Sequence, residues 1–124
     1  NTSTKSINLC RNEVGVAGAK AFGEALKPNL DGTQSNLRSL VLSKNALCGL
    51  NSRFKGKFTE DGVQVIAESL KSYGTGLRNT QLKNLDVEGN RIPEHLCKYF
   101  RAIAAERSGL TVKVETKDVF LSSS

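Results

Sequence analysis

With 124 residues, 38% of them hydrophobic, 24% charged and only two prolines, the chain has apolar material for one modest core. Wholesale disorder and a collagen-like chain are excluded, and no apolar stretch approaches the roughly 18 residues that would span a bilayer. The net charge of +6 is unevenly placed: residues 1–58 hold nine Lys or Arg against Glu13, Glu24 and Asp31, whereas residues 59–124 hold nine against nine. Such asymmetry concerns partners and solubility, not fold. Nothing near Asn1 combines a basic start with an apolar run, so no signal peptide is expected.

Along the chain, Ile7 and Leu9 alternate as a strand with one buried face, followed by Asn12 and Val14. Helical spacing then runs through Gly18, Phe22, Ala25 and Leu26. The same order returns twice. Leu40 and Leu42 precede Asn45 and Leu47, with a helical stripe at Gly62, Ile66, Ser69 and Leu70; Leu85 and Val87 precede Asn90 and Ile92, with a stripe at Leu96, Phe100, Ile103 and Ala104. The offsets within the stripes agree in all three, so each helix is expected to keep one face toward one core. Thr59 is placed to cap the second helix, with Glu60 and Asp61 in its first turn where the helix dipole favours negative charge. Pro93 suits the first turn of the third helix and Gly109 its end. Leu110, Val112 and Val114 alternate as a fourth, closing strand, and the tail from Phe120 has flexible composition.

The pattern Leu37-x-x-Leu40-x-Leu42-x-x-Asn45-x-Leu47 resembles the leucine-rich-repeat signature. The run from Gly18 to Leu26 looks like the helix of its ribonuclease-inhibitor-like subclass, shared with Ran GTPase-activating proteins, tropomodulins and many innate-immune receptors. The resemblance implies an α/β solenoid: parallel strands on a concave side, helices on a convex side, and a structural asparagine ladder at Asn12, Asn45 and Asn90. One leucine-rich-repeat domain is expected over 1–124, with units at about 4–36, 37–81 and 82–109 and a closing strand at 110–115. With no methionine and a strand almost at once, the chain is expected to be processed or part of a longer protein, with a preceding repeat or a partner at its first edge.

The chain departs from a repeat of about 28 residues, since Asn12 to Asn45 is 33 and Asn45 to Asn90 is 45. In the first unit the helical glycine follows its asparagine by six residues, in the second by seventeen, which puts eleven extra residues at Cys48–Phe58. The long returns, from Leu26 to Leu37 and from Leu70 to Leu82, read as surface loops. The insert carries Arg53, Lys55 and Lys57, no acid, and Phe54 and Phe58 among the cations. Three readings follow. The rings fold back onto the domain edge while the cations stay in water; or the loop is a contact surface whose rings supply area and whose cations select an acidic partner; or it binds nucleic acid by stacking and phosphate contact.

The outward strand positions offer a second surface: Asn8 and Cys10, Ser39, Val41 and Ser43, Asn84, Asp86 and Glu88, then Lys113. Chemistry is sparse. Gly56-Lys57 lacks the hydroxyl residue and spacing of a phosphate-binding loop, and Gly74-Thr75-Gly76 follows a helix instead of a strand. His95 and Cys97, two apart, face different sides of a helix, so no metal site or cofactor is expected. Cys97 reads as a small buried hydrophobe and Cys10 as an exposed thiol. Three widely spaced cysteines, an odd number, suit reduced thiols in the cytoplasm or nucleus.

The expected function is a non-enzymatic protein-interaction scaffold that uses the concave face (Val41, Asp86, Glu88) and the loop (Arg53, Phe54, Lys55, Lys57, Phe58). Its partner would be another protein, acidic where it meets the loop, with no membrane and no small-molecule substrate involved. Two alternatives stand beside it: RNA or ribonucleoprotein binding through the basic first half, and, by family analogy alone, GTPase activation with Arg53 or Arg91 as the contact.

Overall fold

The computed structural model describes residues 5–29, 31, 33–34, 36–50, 53, 55–71, 79–107 and 109–115. Strands and helices alternate: β1 (Lys5–Asn8), α1 (Gly15–Leu26), β2 (Leu37–Val41), α2 (Asp61–Leu70), β3 (Asn84–Asp86), α3 (Glu94–Glu106) and β4 (Thr111–Lys113). The strands form one parallel sheet in chain order, β1-β2-β3-β4. The first apolar row of each strand falls in register, Ile7 beside Leu40, Leu40 beside Leu85 and Leu85 beside Val112. When parallel strands follow chain order in one direction, right-handed connections bring every helix to the same face. Burial agrees with this: Leu40, Leu42, Leu85 and Val87 are fully buried, while Ser39, Val41, Asn84 and Asp86 between them stay partly exposed.

Local chemistry sets the helix ends. The Thr59 hydroxyl accepts the Asp61 N–H at 3.2 Å, one residue ahead of the Glu60 cap position, and so holds the start of α2. Pro93 stands just before α3 rather than in its first turn, because its backbone is extended (φ −68°, ψ 156°). Its carbonyl nevertheless starts the helix by accepting the Leu96 and Cys97 N–H groups at 3.0 Å. All three helices close alike, on Lys27, Lys71 and Arg107, extended residues whose N–H turns back to the carbonyl three before. Arg107, not Gly109, thus ends α3, and each of these cations lies at the negative end of its helix dipole.

The core contains Leu26, Leu47, Val63, Ile66, Leu70, Leu82, Ile92 and Phe100 beside the strand residues. The expected stripes hold in α2, where Gly62, Ile66, Ser69 and Leu70 are all buried, and in α3 for Leu96, Phe100 and Ile103, while Ala104 is half-buried. In α1 the buried residues are Ala19, Gly23 and Leu26; Gly18 and Phe22 are half-covered and Ala25 is exposed. The buried stripe is turned by one residue, and α1 packs on α2. A Cβ on Gly62 would lie 2.8 Å from the Ala19 Cβ and 2.9 Å from the Val16 carbonyl oxygen, and one on Gly23 would meet Val65 and the Ile66 nitrogen. Two glycines, one from each helix, let the backbones approach.

The return from Leu70 to Leu82 lies outside the described residues at 72–78. Its end is no surface loop: Asn79 is fully buried, donates to the Leu26 carbonyl at 2.9 Å, and accepts the Gln81 and Leu82 N–H groups. Among the described residues no helix is long and apolar enough to cross a membrane.

Leu85→Ala removes a fully buried side chain and is expected to cost about 2–5 kcal/mol in denaturant unfolding. Gly62→Ala should cost about 1–3 kcal/mol by overpacking the α1–α2 contact, the reverse of the usual helical preference for alanine.

Candidate functional site

The turns after the strands are tied by asparagine side chains. The Asn45 Oδ1 accepts the N–H groups of Asn12 (2.7 Å) and Val14 (3.1 Å), and its Nδ2 donates to the Leu9 and Ser43 carbonyls. One turn along, the Asn90 Oδ1 accepts Asn45 N–H (2.7 Å) and Leu47 N–H (3.1 Å), and its Nδ2 donates to the carbonyls of Leu42, Val87 and Glu88. Asn45 and Asn90 are buried, so water does not compete for these groups. Asn12 is exposed and donates to Cys10 within its own turn. At the far end a Glu115 carboxylate oxygen accepts the Asn90 N–H at 2.9 Å. Three positions past Val114 stands Lys117, not asparagine, so the spacing rule could not have indicated Glu115.

The backbone takes the same unusual form at all three turns. The residues on either side of each asparagine have positive φ: Arg11 (61°) and Glu13 (54°), Lys44 (57°) and Ala46 (56°), Gly89 (77°) and Arg91 (60°). These flanking residues line a cleft of about 550 Å³ past the carboxyl ends of the strands, with Asn45 and Leu50 completing its wall.

On the sheet face away from the core, register sets two rows: Ser6, Ser39, Asn84 and Thr111, then Asn8, Val41, Asp86 and Lys113. The Asn84 amide donates to the Ser39 hydroxyl at 3.0 Å, and the Lys113 ammonium lies 3.6 Å from Glu88. Val41 and Asp86 are register neighbours, and Asp86 accepts the Glu88 N–H at 3.1 Å. The three residues expected on this face therefore come together, as a polar surface holding two acids.

The inserted loop is closed at its base. Thr59 N–H donates to the Cys48 carbonyl at 2.9 Å, and Gly49 and Gly56, both at positive φ, bring their backbones face to face. A Cβ on Gly49 would strike the Lys57 carbonyl oxygen, and one on Gly56 the Gly49 carbonyl oxygen. Cys48 belongs to the core. Beyond the clasp, Arg53, Lys55 and Lys57 are exposed. Phe58 does not fold back: at 45% exposure it is the exposed large hydrophobic side chain among the described residues. Phe54 lies outside them.

Burial pushes the Cys48 thiol up to about 12 and the Cys97 thiol up to about 11, so both stay neutral in the core, whereas Cys10 is exposed. His95 stands on the outside of α3 with its Nε2 2.6 Å from a Glu60 carboxylate oxygen, linking α3 to the start of α2. Among the described residues no three His, Cys, Asp or Glu side chains gather as a metal site would require. No family model, curated protein or solved structure matches the chain.

Asn90→Ala leaves several buried polar groups without partners, at about 1–3 kcal/mol for each that water cannot reach. It should destabilise strongly, whereas Asn12→Ala should stay within about 0.5 kcal/mol of the parent in the same melt. A thiol reagent at pH 8 should modify one cysteine, Cys10, in the folded protein and all three after unfolding. The two buried thiols have folded values above the ordinary 9.0, so the stability from keeping them neutral is present below that pH. It should be lost as the pH climbs toward 11–12, and Cys48→Ala with Cys97→Ala should flatten that alkaline fall.

Proposed function

We propose that this chain is a leucine-rich-repeat interaction module that binds another protein through the inserted loop and the uncovered sheet face. The observation that carries the reading is Phe58, an exposed ring beside Lys57 on a loop whose base is fixed by the Gly49–Gly56 clasp. An aromatic ring at the surface supplies area that can be covered on binding, and a loop closed at its base loses less freedom when it docks. The cations beside it favour an acidic partner, while Asp86 and Glu88 on the sheet face would meet a basic part of the same partner. The leucine-rich-repeat assignment draws support from the stacked amides of Asn45 and Asn90, the in-register parallel strands, and one helix following each of the first three.

Deletion of residues 49–57 tests the proposal, because the Cys48 carbonyl and the Thr59 N–H already touch across the base. Circular dichroism and melting should stay close to the parent, and capture of the partner from native extract should be lost. Arg53→Ser, Lys55→Ser and Lys57→Ser together should slow association and flatten its salt dependence. Phe58→Ser should abolish capture without lowering the melting temperature. Capture that survives every loop variant would move the interface to Val41, Asp86 and Glu88, and capture abolished by ribonuclease would replace the protein partner with RNA.

A further inference from the structure

The cleft past the carboxyl ends of the strands is a different surface from the loop tip and the sheet face. Its charged lining is Arg11, Lys44, Arg91 and Glu13, three cations against one acid. Arg11 and Lys44 occupy equivalent places, each immediately before an asparagine of the ladder, and Arg91 immediately follows the third. The positive φ angles imposed by the ladder fix the backbone under all three. Among the described residues the side chains of Arg11 and Lys44 take part in no ion pair. Arg11 and Lys44, on a fixed backbone, repel one another, and an anion seated between them relieves that repulsion.

The size and the rest of the wall narrow the ligand. About 550 Å³ exceeds what a single phosphate needs and falls within the ~300–1,000 Å³ usual for small-molecule sites. Ala46 and Leu50 add apolar wall beside the cations. We propose that this cleft binds a small organic phosphate of about nucleotide size: Arg11, Lys44 and Arg91 hold the charged end, and Ala46 with Leu50 contacts the organic part. Arginine supplies paired N–H donors to a phosphate and lysine a point charge. Glu13 disfavours the most weakly charged ligands least and limits how much negative charge the site accepts overall.

The turn geometry itself provides clean variants. Asparagine is the side chain best suited, after glycine, to positive φ. Arg11→Asn and Lys44→Asn therefore remove one cation each while easing the backbone, and neither should lower the melting temperature. The whole chain is titrated calorimetrically at low salt with adenosine diphosphate, inorganic pyrophosphate and adenosine. Expected are saturable one-to-one binding of the diphosphate, weaker binding of pyrophosphate, and none of adenosine. Each variant should weaken diphosphate binding at least about tenfold. Lys20→Asn and Lys98→Asn, exposed cations on α1 and α3, should leave it unchanged. No saturation by diphosphate or pyrophosphate at millimolar concentration would overturn the proposal. So would equal losses in the Lys20 and Lys98 variants, or binding confined to a longer RNA strand.

Discussion

One buried amide between two turns is the interaction on which the rest of this structure depends. A single Asn45 side chain accepts two N–H groups from the turn before it and donates to two carbonyls, and Asn90 accepts two from the turn of Asn45 and donates to three. Backbone bonds continue from the strands into the turns, from the Arg11 N–H to the Ser43 carbonyl and from the Lys44 N–H to the Glu88 carbonyl, and the amides satisfy the groups these leave over, which would otherwise be buried without partners. An amide is suited to the task because it carries acceptor and donors on one short, neutral side chain. At the last turn the carboxylate of Glu115 serves as acceptor alone.

That bonding has a geometric consequence. At the first two turns, where two N–H groups converge on one oxygen, the flanking residues have positive φ; the third turn repeats those angles, and five of the six flanking residues are not glycine. The ladder thereby sets a fixed rim of Arg11, Glu13, Lys44, Ala46, Gly89 and Arg91 around the cleft. The inserted loop leaves from the end of the same rim, with Leu50 on the cleft wall and Cys48 in the core. Core, ladder, cleft and loop base are thus successive layers along a few residues of chain. Past the clasp, exposure rises to that of Phe58.

Much of this was legible in the residues. Alternation at Leu40 and Leu42 and at Leu85 and Val87, with the asparagine three positions on, marked the strands, the buried face and Asn45 and Asn90. Helical spacing marked α2 and α3, because each has one dominant apolar face. It misplaced the stripe of α1, whose contact with α2 depends on Gly23 lying against Val65 and Ile66 and on Gly62 lying against Ala19 and Val16, neighbours that spacing does not encode. Asn79 read as loop because its partners are the carbonyl of Leu26, 53 residues away, and two N–H groups of its own turn.

The candidate surfaces divide in the same way. Counting residues between asparagine and helical glycine located the insert, and its charge was plain, since both are properties of order along the chain. Whether Phe58 folds back or stands in water was open, and so was the close approach of Gly49 to Lys57 and of Gly56 to Gly49 at the base of the loop. The cleft was not read from the residues: Arg11 and Lys44 precede asparagines of the pattern and Arg91 follows one, but they are separated by 33 and 47 residues and the pattern does not say that these positions share a rim. The sequence by itself determined the alternation of strand and helix and the buried faces, because these follow from period; the tying amides were an expectation from the resemblance, and of the three asparagines it implied, the Asn12 side chain bonds only within its own turn. Only the tertiary structure decided which distant cations share a rim and which ring meets water, because register between strands, and not distance along the chain, makes those residues neighbours.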